Sequence, residues 1–253
     1  MKALLTGITG NLGYEVASNL TRRGFIVIPI IRSSRKQTNL QGQFKEIVYS
    51  DLTGADSIQF NGVADCIVHC AGMVHFRDAG NANEQMMQKV VDLAKRLKIP
   101  IYFVSTAFVY RPSEIKGDFN NSYEKDKWQA EQILINSGVP HGIFRPSILV
   151  GNSKTGEIQN FSGYYLVVQA FLRAINNSTK EGFKLRFPRL SGKANMVTVD
   201  QVAESVGNVI EDGRLENLFV SNPNSPTSDW ALRKALEFFK VNDQIEFLDC
   251  SFE

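Results

Sequence analysis

The chain has 253 residues, 28 Lys and Arg against 26 Asp and Glu, and 43% hydrophobic side chains, enough for one α/β unit with an added lobe and a large core. The charge balance removes any electrostatic reason to expect nucleic acid or an anionic membrane as partner. Apolar runs such as residues 25–31 fall far short of the ~20 residues of a membrane span and no charged-then-apolar leader opens the chain, so a soluble, cytoplasmic protein is expected.

The first strand pattern, Ala3-Leu4-Leu5, runs into Thr6-Gly7-Ile8-Thr9-Gly10-Asn11-Leu12-Gly13 and then into an amphipathic helix over about 11–23, with Leu12, Val16 and Leu20 on one face. This spacing suits a cradle for a nucleotide diphosphate. Gly7 permits the turn, Gly10 lets backbone N–H groups approach a pyrophosphate, and Gly13 lets the helix pack closely with its positive end toward the phosphates. An ordinary tight turn is the bland alternative, and the strand-to-helix context argues against it.

A second strand is expected over 25–31, followed by Arg32-Ser33-Ser34-Arg35-Lys36. At the end of this strand a carboxylate suits a ribose 2′-hydroxyl and an arginine suits a 2′-phosphate. Arg32 and Arg35, with no carboxylate nearby in sequence, favour NADP(H) over NAD(H); a solvated basic loop is the rival reading. A strand at 45–49 leads to Asp51-Leu52, where the aspartate could meet an adenine amino group or simply occupy an exposed turn.

The next strand, 65–70, ends in His69-Cys70, and His69 reads as a structural histidine. The three cysteines, at 66, 70 and 250, are too few for a disulfide framework and lack zinc-type spacing with the histidines at 69, 75 and 141, so no metal is expected. A helix at 82–98 and a strand at 100–106, opened by Pro100, continue the alternation. The helix at 122–137 carries Tyr123 and Lys127, four apart and so on one face. Carbonyl reduction needs a proton donor where negative charge develops on oxygen, and a nearby ammonium is expected to lower the phenol. Ser105 and Thr106 end their strand on the side where doubly wound sheets bind ligands, so a hydroxyl there can help hold the oxyanion.

A sixth strand is expected over 142–150. Strand–helix alternation predicts a doubly wound parallel sheet of Rossmann type over 1–150. Beyond it, 151–253 should hold a small C-terminal substrate lobe interleaved with the last core elements: helices near 163–176, 199–212 and 227–240 and a strand near 217–221. Phe161, Tyr164, Tyr165, Val167, Val168, Phe171 and Leu172 either wall an apolar acyl pocket or form plain core. Lys184, Arg186 and Arg189 either grip an anionic substrate or make a solvated basic strand.

Together these segments resemble an extended short-chain dehydrogenase/reductase. The resemblance is carried by Thr6 to Gly13, Asp51-Leu52, His69-Cys70-Ala71-Gly72, Asn83, Ser105-Thr106-Ala107-Phe108-Val109-Tyr110, Tyr123 with Lys127, Phe144-Arg145-Pro146-Ser147-Ile148-Leu149-Val150-Gly151 and Met196 to Asp200. It implies Thr106 as catalytic hydroxyl, Tyr123 as acid/base and Lys127 as the ribose-binding lysine. It also implies a cofactor lined by Thr6, Gly7, Thr9, Gly10, Asn11, Leu12, Gly13, Arg32, Arg35, Asp51, Leu52, Cys70, Ala71, Gly72, Ser105, Arg145, Pro146 and Ser147.

Asn120-Asn121-Ser122-Tyr123 with Lys127-Trp128-Gln129-Ala130-Glu131 is most similar to the thioester-reductase, male-sterility-type branch, with the epimerase/dehydratase family next. That branch implies NADP(H)-dependent hydride transfer to a carbonyl or to a carrier-bound acyl thioester. Ala107-Phe108 stands where dehydratases carry an Asp-Glu pair. Asp126 replaces the usual serine before the lysine and Arg111 the glycine that often follows the Val-Tyr pair, which leaves the substrate class open. A sugar-nucleotide reductase or epimerase and a non-catalytic NADP-sensing regulator remain as alternatives, and one chain does not decide whether a homodimer forms.

Overall fold

The structure, a computed structural model, describes residues 1–32, 42–74, 80–111 and 119–248. Its centre is a seven-stranded sheet in the order β10-β6-β5-β4-β1-β2-β3, every neighbouring pair parallel. The strands are β1 (Lys2–Thr6), β2 (Ile26–Ile31), β3 (Val48–Tyr49), β4 (Cys66–His69), β5 (Ile101–Val104), β6 (His141–Pro146) and β10 (Asn217–Val220). The order reverses between β1 and β4, so the loops after these two strands diverge to opposite faces and leave a crevice at their carboxyl ends. The expected doubly wound α/β fold is therefore present.

Helices α1 (Asn11–Arg22) and α5 (Val199–Glu211) pack on each other, as do α2 (Ala82–Leu97) and α3 (Ser122–Asn136). Strand alternation divides the core between them. Leu4, Ile28, Ile67, Ile101 and Phe103 join a cluster with Met87, Val90 and Ala94 of α2 and Ala130 and Leu134 of α3. Ala3 and Leu5, one residue out of phase, are fully buried on the other face.

One expected element is corrected. Residues 142–150 form two strands rather than one: β6 ends at Pro146, and β7 (Ile148–Val150) pairs with β9 (Met196–Thr198) in a separate two-stranded sheet. The Ser147 N–H still bonds to Val220 O at 3.0 Å, whereas the Ile148 N–H turns to Asn195 O at 3.0 Å, so the ladder changes partner across one residue. A further pair, β8 (Leu185–Pro188) with β11 (Ile245–Leu248), accompanies α4 (Tyr164–Lys180) and α6 (Ser228–Phe239).

The chain forms two compact units. The first comprises 1–147, 151–160 and 198–220; the second comprises 148–150, 161–197 and 221–253. No helix among the described residues is long and apolar enough to cross a membrane.

Candidate active site

The glycine loop shows why three glycines are spaced as they are. Gly7 has φ +76, and a Cβ there would lie 2.5 Å from Ala71 N, so the turn after β1 abuts the segment after β4. A Cβ on Gly13 would lie 2.0 Å from Gly7 O, which only a bare α-carbon avoids. Gly10 caps α1 without a side-chain hydrogen bond, leaving the first turn to backbone donors. Asn11 is tied elsewhere: its amide donates to Asn160 O at 2.8 Å and its carbonyl accepts from Asn160 N at 2.6 Å. Asn160, which also donates to Thr9 O, is a residue that sequence reasoning missed, since 149 positions separate it from Asn11.

Thr6 is buried. Its hydroxyl accepts from Ala71 N–H at 3.1 Å and lies 2.7 Å from His69 Nδ1, which leaves its own proton for the imidazole nitrogen. Burial, with Lys127 adding to it, lowers His69 to about 3, so the ring is neutral, and it stacks on Phe103. Thr6 therefore orders the β4 end from inside. Leu12 and Leu52 are core residues.

At the end of β5, Thr106 accepts from Phe108 N at 3.3 Å and shares a hydrogen bond with the Tyr123 phenol. Lys127, also buried, donates to Val104 O at 2.9 Å and holds its amine 4.3 Å from the centre of the Phe103 ring. A Cβ placed on Gly72 would lie 3.6 Å from Lys127 Nζ. One helical turn of α3 thus brings Tyr123 and Lys127 to the strand ends that carry Thr106 and Gly72.

The electrostatics differ from expectation. Burial pushes the Tyr123 phenol up to about 12, with Glu124 and Asp126 adding to it and only the Thr106 hydrogen bond opposing. Lys127, which donates to the Val104 carbonyl and lies over the Phe103 ring, is not among the groups that shift the phenol. Burial draws Lys127 itself down to about 8 against the opposing pull of Glu131, Asp126 and Cys70. Burial also raises the Cys70 thiol to about 12, which keeps it protonated and unreactive.

Asp126, 1% exposed, explains its own presence. Its carboxylate accepts Asn83 N–H at 3.0 Å, Asn83 Nδ2 at 2.7 Å and Glu84 N–H at 3.1 Å, capping α2 from a neighbouring helix. Asn83 in turn accepts from Met73 N at 3.0 Å and donates to Met73 O at 3.2 Å, pinning the loop beside Lys127. Arg111, the other departure, pairs with Glu124 and covers Phe119.

Other expected residues fall differently. Arg145 grips Glu131 through two nitrogens, at 2.9 and 2.6 Å, so its guanidinium is committed within the fold. Ser105 Oγ and Ser147 Oγ, at the ends of β5 and β6, are buried with no hydrogen-bond partner among the described residues, and Pro146 lies buried between Arg145 and Ser147. The Asp51 carboxylate is held down by hydrogen bonds from Thr53 and, less, by Arg32 and Lys89. Arg32 thus has a carboxylate within electrostatic reach, contrary to expectation, because pairing of β2 with β3 brings residues 31 and 50 together. Arg35 lies outside the described residues.

A glycine cradle at a topological switch point and orphaned hydroxyls at the neighbouring strand ends fit a dinucleotide. The second unit holds a cavity of about 230 Å³ whose walls include Tyr164, Val167, Val168, Phe171 and Leu172. Five members of the suspected acyl cluster therefore face a hollow; Phe161 and Tyr165 instead contact each other. Arg186 pairs with Glu246 at the surface.

Residues 52–206 match the NAD-binding family described as male sterility protein, and the chain belongs to it. The resemblance to the male-sterility branch is borne out. A hybrid PKS-NRPS synthetase, xenE of Xenoacremonium sinensis, is 26% identical over 247 residues, covering 85% of this chain and 6% of the synthetase. The chain thus spans a small part of that relative. A thiolation-reductase di-domain from an archaeal non-ribosomal peptide synthetase superposes with a TM-score of 0.76 at 20% identity, covering 98% of this chain and 77% of that one. UDP-N-acetylglucosamine 4-epimerase from Bacillus cereus gives 0.70 at 19% identity, covering 98% and 85%. These two similarities establish the fold alone.

Proposed function

We propose that the protein is an NADP(H)-dependent reductase acting on a carbonyl or on a carrier-bound acyl thioester. The observation that carries this reading is the buried hydrogen bond between Tyr123 and Thr106, with the Lys127 amine held on the same helical face. A phenol pushed up to about 12 keeps its proton at neutral pH, which suits an acid that must hold it until charge develops on the substrate oxygen. Tyr123 Oη then gives its proton to that oxygen, and the Thr106 hydroxyl stabilises the charge while it forms. Lys127, anchored on Val104 O, has further N–H donors to offer a ribose hydroxyl.

When bound, the dinucleotide supplies the hydride. The residues offered to it are Gly7, Gly10 and Gly13 with the first turn of α1, the Ala71-Gly72 backbone, and the Ser105 and Ser147 hydroxyls. Arg32 supports a 2′-phosphate, with Asp51 as a competing charge that weakens the preference over NAD(H). The relative named as a thiolation-reductase di-domain supports a carrier-bound thioester over a free aldehyde.

Tyr123→Phe tests the reading. It should leave NADPH affinity within about twofold and lower turnover by two orders of magnitude or more, as loss of a general acid does. Measured by NADPH oxidation and by calorimetry, unchanged turnover removes Tyr123 from the mechanism.

A further inference from the structure

Thr106 and Tyr123 come from different elements, the end of β5 and the first turn of α3, and one hydrogen bond joins them directly. A second tie runs beside it. Glu124, next to Tyr123 and buried, accepts from Asn120 N–H at 3.1 Å and from the side-chain amides of Asn120 at 3.1 Å and Asn121 at 3.2 Å, and it pairs with Arg111. The other side of the guanidinium turns back on its own segment, where Arg111 donates to Phe108 O and Tyr110 O, both at 3.0 Å. Phe108 belongs to the short turn Ala107–Val109, and its own N–H donates to the Thr106 hydroxyl at 3.3 Å. Thr106, Phe108, Arg111, Glu124 and Tyr123 therefore form a closed ring of contacts.

Capping of α3 does not account for the arginine. Asn121 already accepts Glu124 N–H at 2.9 Å, and amide donors from Asn120 and Asn121 already meet the Glu124 oxygens. A carboxylate in this position suits the positive end of the helix without a cation. What Arg111 adds is a connection to the turn that follows Thr106.

We propose that Arg111, acting through Glu124, is a positioning residue that fixes the Thr106 hydroxyl relative to the Tyr123 phenol. That this alignment serves proton transfer rests on the reductase reading; that the ring holds the turn after Thr106 does not. Two ties set orientation as well as distance, and misplacement by about 1 Å lowers a rate by up to about 100-fold. A planar fork reaches two carbonyls and a carboxylate at once, which the point charge of a lysine does not.

The test uses the full chain with Arg111→Met, which keeps the stem and removes the fork, and Glu124→Gln, which keeps the volume and removes the charge. Turnover is followed as NADPH oxidation with benzaldehyde and with the butyryl thioester of N-acetylcysteamine, and NADPH affinity by calorimetry. Native-state hydrogen exchange follows the Tyr110 amide, bonded to Ala107 O at 3.0 Å. Each variant should lose at least about tenfold in kcat, keep the NADPH Kd within about twofold, and exchange the Tyr110 amide at least about tenfold faster. The double variant should turn over no more slowly than the slower single one, because both substitutions open the same ring. Should Glu124→Gln fail to fold, Arg111→Met, whose side chain is partly exposed, carries the same three measurements. Turnover within about twofold of an active native chain overturns the proposal, as do kcat losses that multiply in the double variant or an unchanged Tyr110 exchange rate. NADPH affinity that falls as far as turnover also overturns it, since damage to the fold rather than lost alignment is then the cause. A Tyr110 amide loosened by both substitutions, in a protein whose native chain oxidises no NADPH with any aldehyde or thioester, keeps the ring and sinks the reductase reading.

Discussion

The two units use their helices differently. In the first, α5 buries seven of its thirteen residues, and the polar groups near the ends of β4 and β5 largely meet partners: Thr6 with His69, Asn83 with Asp126, Lys127 with Val104. In the second, α4 is seventeen residues long and fully buries only Ile175 and Ser178, while much of its apolar face lines a hollow. One unit fixes atoms to within a hydrogen bond; the other preserves volume. Positioning chemistry requires the first property and accommodating an apolar chain the second.

Alanine at two glycines would break this contrast most sharply. Gly13→Ala places a Cβ 2.0 Å from a backbone oxygen, so the loop or the helix must move, and dinucleotide binding should fall below detection by calorimetry. Gly163→Ala, at the start of α4, meets no atom within 4 Å and suffers only from its backbone conformation, φ +55 and ψ −121, at a cost of about 1–3 kcal/mol in chemical denaturation. Equal effects at the two positions would mean that the first unit is no more tightly specified than the second.

Asp126→Ser comes next. It removes a buried carboxylate that accepts three hydrogen bonds and leaves the Asn83 and Glu84 donors without it. The expected loss is about 3 kcal/mol in urea unfolding. NADPH binding should also weaken, because Asn83 no longer holds the Met73 loop. A loss under about 0.5 kcal/mol would show that water replaces the cap at no cost.

What was legible in the sequence follows from the range of the interactions concerned. Gly7, Gly10 and Gly13 lie within seven residues of one another, and Tyr123 and Lys127 share one helical turn, so spacing alone exposed both groups. Apolar periodicity located the strands and helices of the first unit. The break at Ser147 was hidden because 142–150 is evenly apolar, and only the change of ladder partner from Val220 to Asn195 separates β6 from β7. Asn160, the role of Asp126 and the Arg145–Glu131 pair depend on contacts formed after folding, which periodicity does not record. The direction of the Tyr123 shift was missed for a related reason: helical spacing places the amine near the phenol without recording the burial that raises it.

A further expected effect is a pH dependence set by two buried groups of the first unit, His69 and Lys127. His69 is drawn down to about 3 from 6.5, so the unfolded chain takes up a proton near 6.5 that the native state refuses. Its neutral form therefore contributes stability that is complete above pH 6.5 and falls away as the pH drops toward 3. Between pH 7 and 5 the loss should be about 2 kcal/mol, at about 1.4 kcal/mol per pH unit below 6.5. Lys127 has the same sign in a second window: its depressed value of about 8, against 10.5 unfolded, makes stability rise with pH between those limits. His69→Gln should lower stability at neutral and alkaline pH by losing the Thr6 contact, yet flatten the acid window and leave the alkaline one in place. Urea midpoints at pH 5, 7 and 9 separate the two. A mutant whose profile stays parallel to the native one across the acid window would show that His69 takes up its proton in the folded protein, and the neutral pairing with Thr6 would then have to be abandoned.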